Sequence, residues 1–101
     1  MNGMYILEGK EVKPIEDVIE WGSWFGKADC KVASTELPNG VRISTAFLGL
    51  DHSFGGSVPI LFETMIFDGK HDQYQERYAT WDEAEVGHKQ AVKLAQEVKN
   101  E

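Results

Sequence analysis

The chain has 101 residues, with ten Lys and Arg against seventeen Asp and Glu, giving a formal charge of −7. That length holds one compact domain with a single modest core, and 42% hydrophobic with 11% aromatic residues excludes a disordered chain. The charge repels nucleic-acid backbone, no apolar run approaches the roughly 18 residues of a membrane span, and the lone Cys30 permits no internal disulfide and suits a reducing cytoplasm.

Met1 to Lys10 carries Glu8 and Lys10 and has no long apolar block, so no secretion signal is expected. Met4 to Leu7, ended by Gly9, reads as an edge strand. Pro14 suits the first turn of a helix, with Glu16 and Asp17 at its positive end. Ile15, Val18, Ile19, Gly22 and Phe25 then recur at helical spacing, ending near Gly26, with Trp24 roughly opposite the Ile15/Ile19 stripe. Lys31 to Leu37 alternates weakly, and Pro38-Asn39-Gly40 is a turn. Val41 to Leu50 is the clearest strand, rich in β-branched and aromatic residues. A glycine-containing loop over 51–59 leads to a strand over 60–67, closed by Asp68-Gly69.

The three strands predict an antiparallel meander. Lys70 to Arg77 is polar and reads as a loop. Thr80 followed by Glu83 is a capping box, and Ala84, Gly87, His88, Ala91, Leu94, Ala95 and Val98 trace one stripe of a final helix. Asp82, Glu83 and Glu85 at its start and Lys89, Lys93 and Lys99 later complement the helix dipole. The expected fold is α+β, with residues 1–101 as a single domain. A three- to four-stranded antiparallel sheet carries an N-terminal and a C-terminal helix on one face.

Polar groups inside apolar patterns are the candidates for chemistry, because burying them without partners costs free energy. Glu63 lies within Leu61-Phe62-Glu63-Thr64-Met65-Ile66-Phe67, either salt-bridged to Arg42 or Arg77 on an open face or contacting a ligand with a raised pKa. His88, beside Gly87, is either a hydrogen-bonded core histidine or a pocket group. Asp51-His52 ahead of Gly55-Gly56 is either an Asx-turn or, with His88, the start of a site that resembles the ββα-metal motif of HNH-type nucleases. Arg42, Arg77, Tyr78 and Trp81 combine phosphate-binding guanidinium groups with stacking faces at a helix N-terminus; the alternative places Tyr78 and Trp81 in the core. Trp21, Trp24 and Phe25 crowd one short helix and predict an interface, most simply a homo-oligomer. Walker-type, Gly-x-Ser-x-Gly and His-Glu-x-x-His signatures are missing, and Cys30 reads as a structural thiol.

Three segments, Arg42 to His52, Leu61 to Phe67, and Arg77 to Ala84 with Gly87-His88, resemble a family of small uncharacterised phage and prophage proteins. The likeness spans residues 41–92. It implies action in a bacterial host cytoplasm and an anti-defence role. The expectation is a non-enzymatic accessory protein that sequesters a nucleotide-like signal without turnover, with no cofactor and no bound metal. Its ligand residues would be Arg42, Asp51, His52, Glu63, Arg77, Tyr78, Trp81 and His88. The alternatives are a metal-dependent phosphodiester hydrolase using Asp51, His52, Glu63 and His88, and a host-protein-binding inhibitor. No nucleic-acid polymer or membrane is expected as a partner.

Overall fold

The computed structural model describes residues 3–96. Strands β1 (Tyr5–Glu8) and β2 (Glu11–Pro14) form a hairpin, followed by helix α1 (Val18–Lys27). Strands β3 (Lys31–Glu36), β4 (Arg42–Phe47), β5 (Phe62–Phe67) and β6 (Gln75–Tyr78) form an antiparallel sheet in that order, and helix α2 (Trp81–Gln96) crosses its inner face. The architecture is the expected α+β one, with β2 and β6 as additions. Residues 70–77 are not all loop: β6 pairs with β5 in the register Phe62 to Tyr78 and Met65 to Gln75. Its Gln-Glu-Arg-Tyr sequence offers one apolar residue, so an edge strand of this kind carries almost no periodic signal.

The side chains of β4 and β5 alternate strictly. Ile43, Thr45, Phe47, Phe62, Thr64 and Ile66 are buried against α2, while Arg42, Ser44, Ala46, Glu63, Met65 and Phe67 face the other way. From α2 come Ala84, Gly87, His88, Ala91 and Ala95; Val98 and Lys99 lie outside the described residues. The capping box forms as expected. Thr80 Oγ1 accepts from the Glu83 amide at 3.1 Å, and Glu83 Oε1 accepts from the amides of Ala79 and Thr80 at 3.0 and 3.3 Å. Two apolar clusters result. One is built on Leu37, Val41, Ile43, Ile66, Ala91 and Ala95, and the other on Phe47, Leu61, Phe62 and Ala84.

The N-terminal helix departs from expectation in start and in facing. Pro14 ends β2 opposite Tyr5, and Asp17 is the N-cap, its carboxylate accepting from the amides of Ile19 and Glu20 at 2.9 and 3.2 Å. Val18 and Ile19 face solvent, whereas Trp21, Trp24 and Phe25 turn inward. Trp24 meets Phe47 edge-on at 6.0 Å, Trp21 stacks on Phe25 at 5.0 Å, and the Trp21 indole N–H donates to the Tyr5 carbonyl at 3.1 Å. Aromatic side chains bury more apolar area each than Val or Ile, so the helix docks by that side. The three aromatics expected at an interface are part-buried and pack against one another and against Phe47.

Gly49 makes that contact feasible. The predicted strand 41–50 leaves its ladder at Phe47 and bends at Gly49, whose φ is +78°. Beyond the bend Leu50 bridges to Met4, and the Ile15 amide donates to the Met4 carbonyl at 3.0 Å. A Cβ at Gly49 would sit 2.7 Å from Phe25 Cε1. The molecule is elongated, 50 × 28 × 20 Å, with a radius of gyration of 15.0 Å against about 13 Å for an ordinary domain of this length. Gly49→Ala should cost about 2–4 kcal/mol through overpacking and left-handed strain. Gly22→Ala, on the open side of α1 with nothing within 4 Å, should be neutral or slightly stabilising. Urea unfolding of the two variants checks the pair.

Candidate functional site

The polar groups singled out in the sequence occupy four separate places. The first is a buried layer between sheet and α2. Thr35, Thr45 and Thr64 come from three neighbouring strands, Tyr78 from the fourth, and His88 from the helix. His88 Nδ1 lies 2.8 Å from Thr45 Oγ1 and Nε2 lies 2.9 Å from Thr35 Oγ1; the Thr45 and Thr64 hydroxyls are 2.5 Å apart. The Tyr78 hydroxyl ends beside Thr64, buried and without a partner in good hydrogen-bond geometry. It reaches that position because residue 87 is glycine: an added Cβ would meet the phenol oxygen at 2.1 Å. Burial lowers the pKa of His88 and raises that of Tyr78, so both stay neutral at pH 7. With no carboxylate in the chain of hydrogen bonds and His88 buried beneath the helix, this layer is core, satisfied at its three threonines and His88 and unpaired at the Tyr78 hydroxyl.

The second place is the outer sheet face. The Arg42 guanidinium lies over the Phe67 ring at 4.4 Å, and Arg77 Nε donates to Glu63 Oε2 at 3.0 Å. These are the chain's only two arginines. Arg42 sits opposite Phe67 and Arg77 opposite Glu63, two strands and four residues away. Strand spacing puts their backbones about 16 Å apart, too far to grip one phosphate. Glu63 is therefore a salt-bridged outer-face residue.

The third place is the β4–β5 connection. Asp51 Oδ1 accepts from the amides of Ser53 and Ile60 at 2.8 and 3.0 Å, and Oδ2 from the Ser53 hydroxyl at 3.0 Å. The Ile60 and Ser53 amides hold its carboxyl below the usual range. His52 Nδ1–H donates to the Leu50 carbonyl at 2.8 Å. The Asx-turn reading is the one realised. Both side chains fasten the loop's base, leaving a tip in which Phe54 has a φ of +55°.

The fourth place is a cleft of about 540 Å³ between the hairpin and the start of α2, lined by Lys10, Glu11, Val12, Thr80, Trp81 and Asp82. Trp81 packs edge-on against Phe62 at 6.2 Å; its indole N–H has no partner, and Lys10 Nζ lies 5.9 Å from its ring centre. Two carboxylates face one ammonium here, and Thr80 already takes the Glu83 amide, so the helix end offers an anion little.

Arg42, Asp51, His52, Glu63, Arg77, Tyr78, Trp81 and His88 therefore do not surround one hollow, as the nucleotide reading requires. They divide between the outer face (Arg42, Glu63, Arg77), the loop base (Asp51, His52), the inner layer (Tyr78, His88) and the cleft (Trp81). Among the described residues, no three His, Cys, Asp or Glu side chains come together as metal ligands. Asp51, His52, Glu63 and His88 thus form no ligand set. What the sequence reading missed is the set of exposed apolar side chains, Val18, Ile19, Leu50, Phe54 and Val58. Phe54 directly before Gly55-Gly56 was the available signal, an aromatic in a segment too glycine-rich to bury it.

Comparison with protein families, curated proteins and solved structures finds no match to the chain. No helix among the described residues is long and apolar enough to cross a membrane.

Because the pKa of His88 is lower in the fold than the unfolded value near 6.5, the unfolded chain binds that proton first as pH falls. The stability it contributes is whole above about pH 6.5 and declines below it. Urea midpoints at pH 7.5, 6.5 and 5.5 should show that slope, and it should shrink in His88→Gln. His88→Ala leaves the Thr35 hydroxyl without its partner and takes one of two partners from Thr45, and should cost about 1–3 kcal/mol at pH 7.5.

Proposed function

We propose that this protein is a non-catalytic protein-binding module, acting through the end of the molecule formed by the 50–60 loop and the start of α1. One observation carries the reading. Of six large apolar side chains exposed among the described residues, five lie in these two segments: Ile19 is 80% exposed, Phe54 89%, Val18 63%, Val58 57% and Leu50 44%. The Leu50–Met4 bridge and the bond from the Ile15 amide to the Met4 carbonyl bring the near ends of the two segments to one residue. Clustered exposed apolar groups mark interaction surfaces, whereas scattered ones do not. The polar residues that would support catalysis are meanwhile engaged with one another, inside the core or across the outer face. We further propose, from the motif likeness to small phage proteins, that the target is a bacterial host protein and that occupying it inhibits it.

The test is affinity capture from lysate of the host bacterium, comparing the wild-type chain with Phe54→Asp, Ile19→Asp and an Arg42→Glu/Arg77→Glu pair. The first two should keep the wild-type unfolding midpoint, since exposed substitutions move stability by about 0.5 kcal/mol or less. They should also lose a discrete captured protein that the arginine pair retains. Retention by both apolar variants with loss in the arginine pair would move the working surface to the outer sheet face.

A further inference from the structure

We infer that Phe54 is a preset anchor that enters an apolar pocket rimmed by Lys and Arg on the partner protein; this rests on the docking end proposed above and names the chemistry it selects. Three features of the loop lead there.

The first is its fixed base. Asp51 ties Ser53 and Ile60 together from one carboxylate, and the His52 amide donates to the Ile60 carbonyl at 2.9 Å, so both stems are closed by hydrogen bonds. A loop held at both ends gives up little conformational freedom when its tip is captured. The second is the conformation of the tip. Phe54 has a φ of +55°, and Gly55 follows at +94°. A left-handed residue that is not glycine is strained, and here the strained residue presents a phenyl ring to water. Phenyl rings bury a large area for few rotatable bonds, which suits them as interface anchors.

The third feature is charge. Residues 14–26 and 50–60 contain Glu16, Asp17, Glu20 and Asp51 and no Lys or Arg. The Asp51 carboxylate is engaged within its loop, so Glu16, Asp17 and Glu20 give this end its net negative charge, with Lys13 and Lys27 just beyond them. A net acidic surround is matched by a basic rim. The same acidic surround opposes a second copy of the chain, which would bring carboxylates against carboxylates. It also opposes an anionic lipid surface and any nucleic acid, both of which repel a chain of net charge −7.

The experiment places the photo-crosslinking residue benzoylphenylalanine at position 54, and at Lys89 on the exposed side of α2 as a control, in the full-length chain exposed to host lysate. The protein joined at position 54 alone is identified by mass spectrometry, purified and titrated by calorimetry. Phe54→Trp should bind within about threefold of the wild type, and Phe54→Ala should lose about 30-fold or more. Glu16→Lys/Glu20→Lys and a rise from 50 to 500 mM salt should each weaken binding several-fold. If Phe54→Ala stays within threefold while Ile19→Asp abolishes binding, the docking end stands and the anchor does not. If neither variant matters, both fail. A product at twice the chain's own mass, or affinity unaffected by salt and by the glutamate changes, overturns the basic-rimmed partner.

Discussion

The structure depends on a single condition, that three threonine hydroxyls and an imidazole placed between the sheet and α2 satisfy one another. Thr45 and Thr64 have no exposed surface and His88 almost none, so water cannot rescue an unpaired atom there. Burying such groups without partners costs more than the apolar contacts around them would offset. The two apolar clusters lie on either side of this layer, Ile43, Ile66 and Ala91 on one side and Phe47, Phe62 and Ala84 on the other. Each hydrogen bond joins a different strand to the helix or to its neighbour. Sliding α2 by one turn would therefore break the layer while leaving a plausible apolar stripe. The layer supplies register, which the small side chains Ala84, Gly87, Ala91 and Ala95 cannot supply by shape alone.

Two glycines carry the close approaches. Gly87 lets the end of the Tyr78 ring lie against the α2 backbone, and Gly49 lets Phe25 and Trp21 lie against the turn out of β4. In both cases a glycine that looks unfavourable by propensity, inside α2 at 87 and inside the predicted strand at 49, is where an aromatic side chain from elsewhere in the chain docks. The first fixes α2 on β6, and the second fixes α1 on the sheet's end.

The meander, the capping box and the α2 stripe were legible in the sequence because each is a local pattern: alternation along β4 and β5, Thr80 paired with Glu83, and apolar residues at helical spacing. The facing of α1 was not legible, because both its Val18/Ile19 side and its Trp21/Trp24/Phe25 side are apolar. The choice was made by Gly49, more than twenty residues away. Strand β6 was hidden by its polarity. The candidate site was legible residue by residue and illegible as a whole. Glu63 with Arg77 and His88 as a core histidine were both among the readings weighed. Strand parity puts Glu63 and Arg77 on the face opposite Thr64 and Tyr78, and so away from His88. Tyr78 on the inner face and Arg77 on the outer face are neighbours in sequence and separated by the thickness of the sheet.

The distribution of exposed surface explains why one end is left to do the binding. The outer sheet face has no covering layer among the described residues, yet it does not present bare apolar area. The Arg42 guanidinium lies over Phe67, Glu63 is tied to Arg77 across the strands, and Ala46 and Met65 are half-buried. Both sheet edges are polar. Lys31, Ser34 and Glu36 are exposed on β3, and Gln75, Glu76 and Arg77 on β6, a pattern that discourages strand-to-strand aggregation. α2 shows solvent mostly Asp, Glu, Lys and Gln, with Val86 alone among its exposed large apolar residues. Against those protected surfaces, Val18, Ile19, Leu50, Phe54 and Val58 stand without any such cover. A chain that leaves only Val86 as a large exposed apolar side chain elsewhere among the described residues, and five at this end, concentrates its capacity for association there.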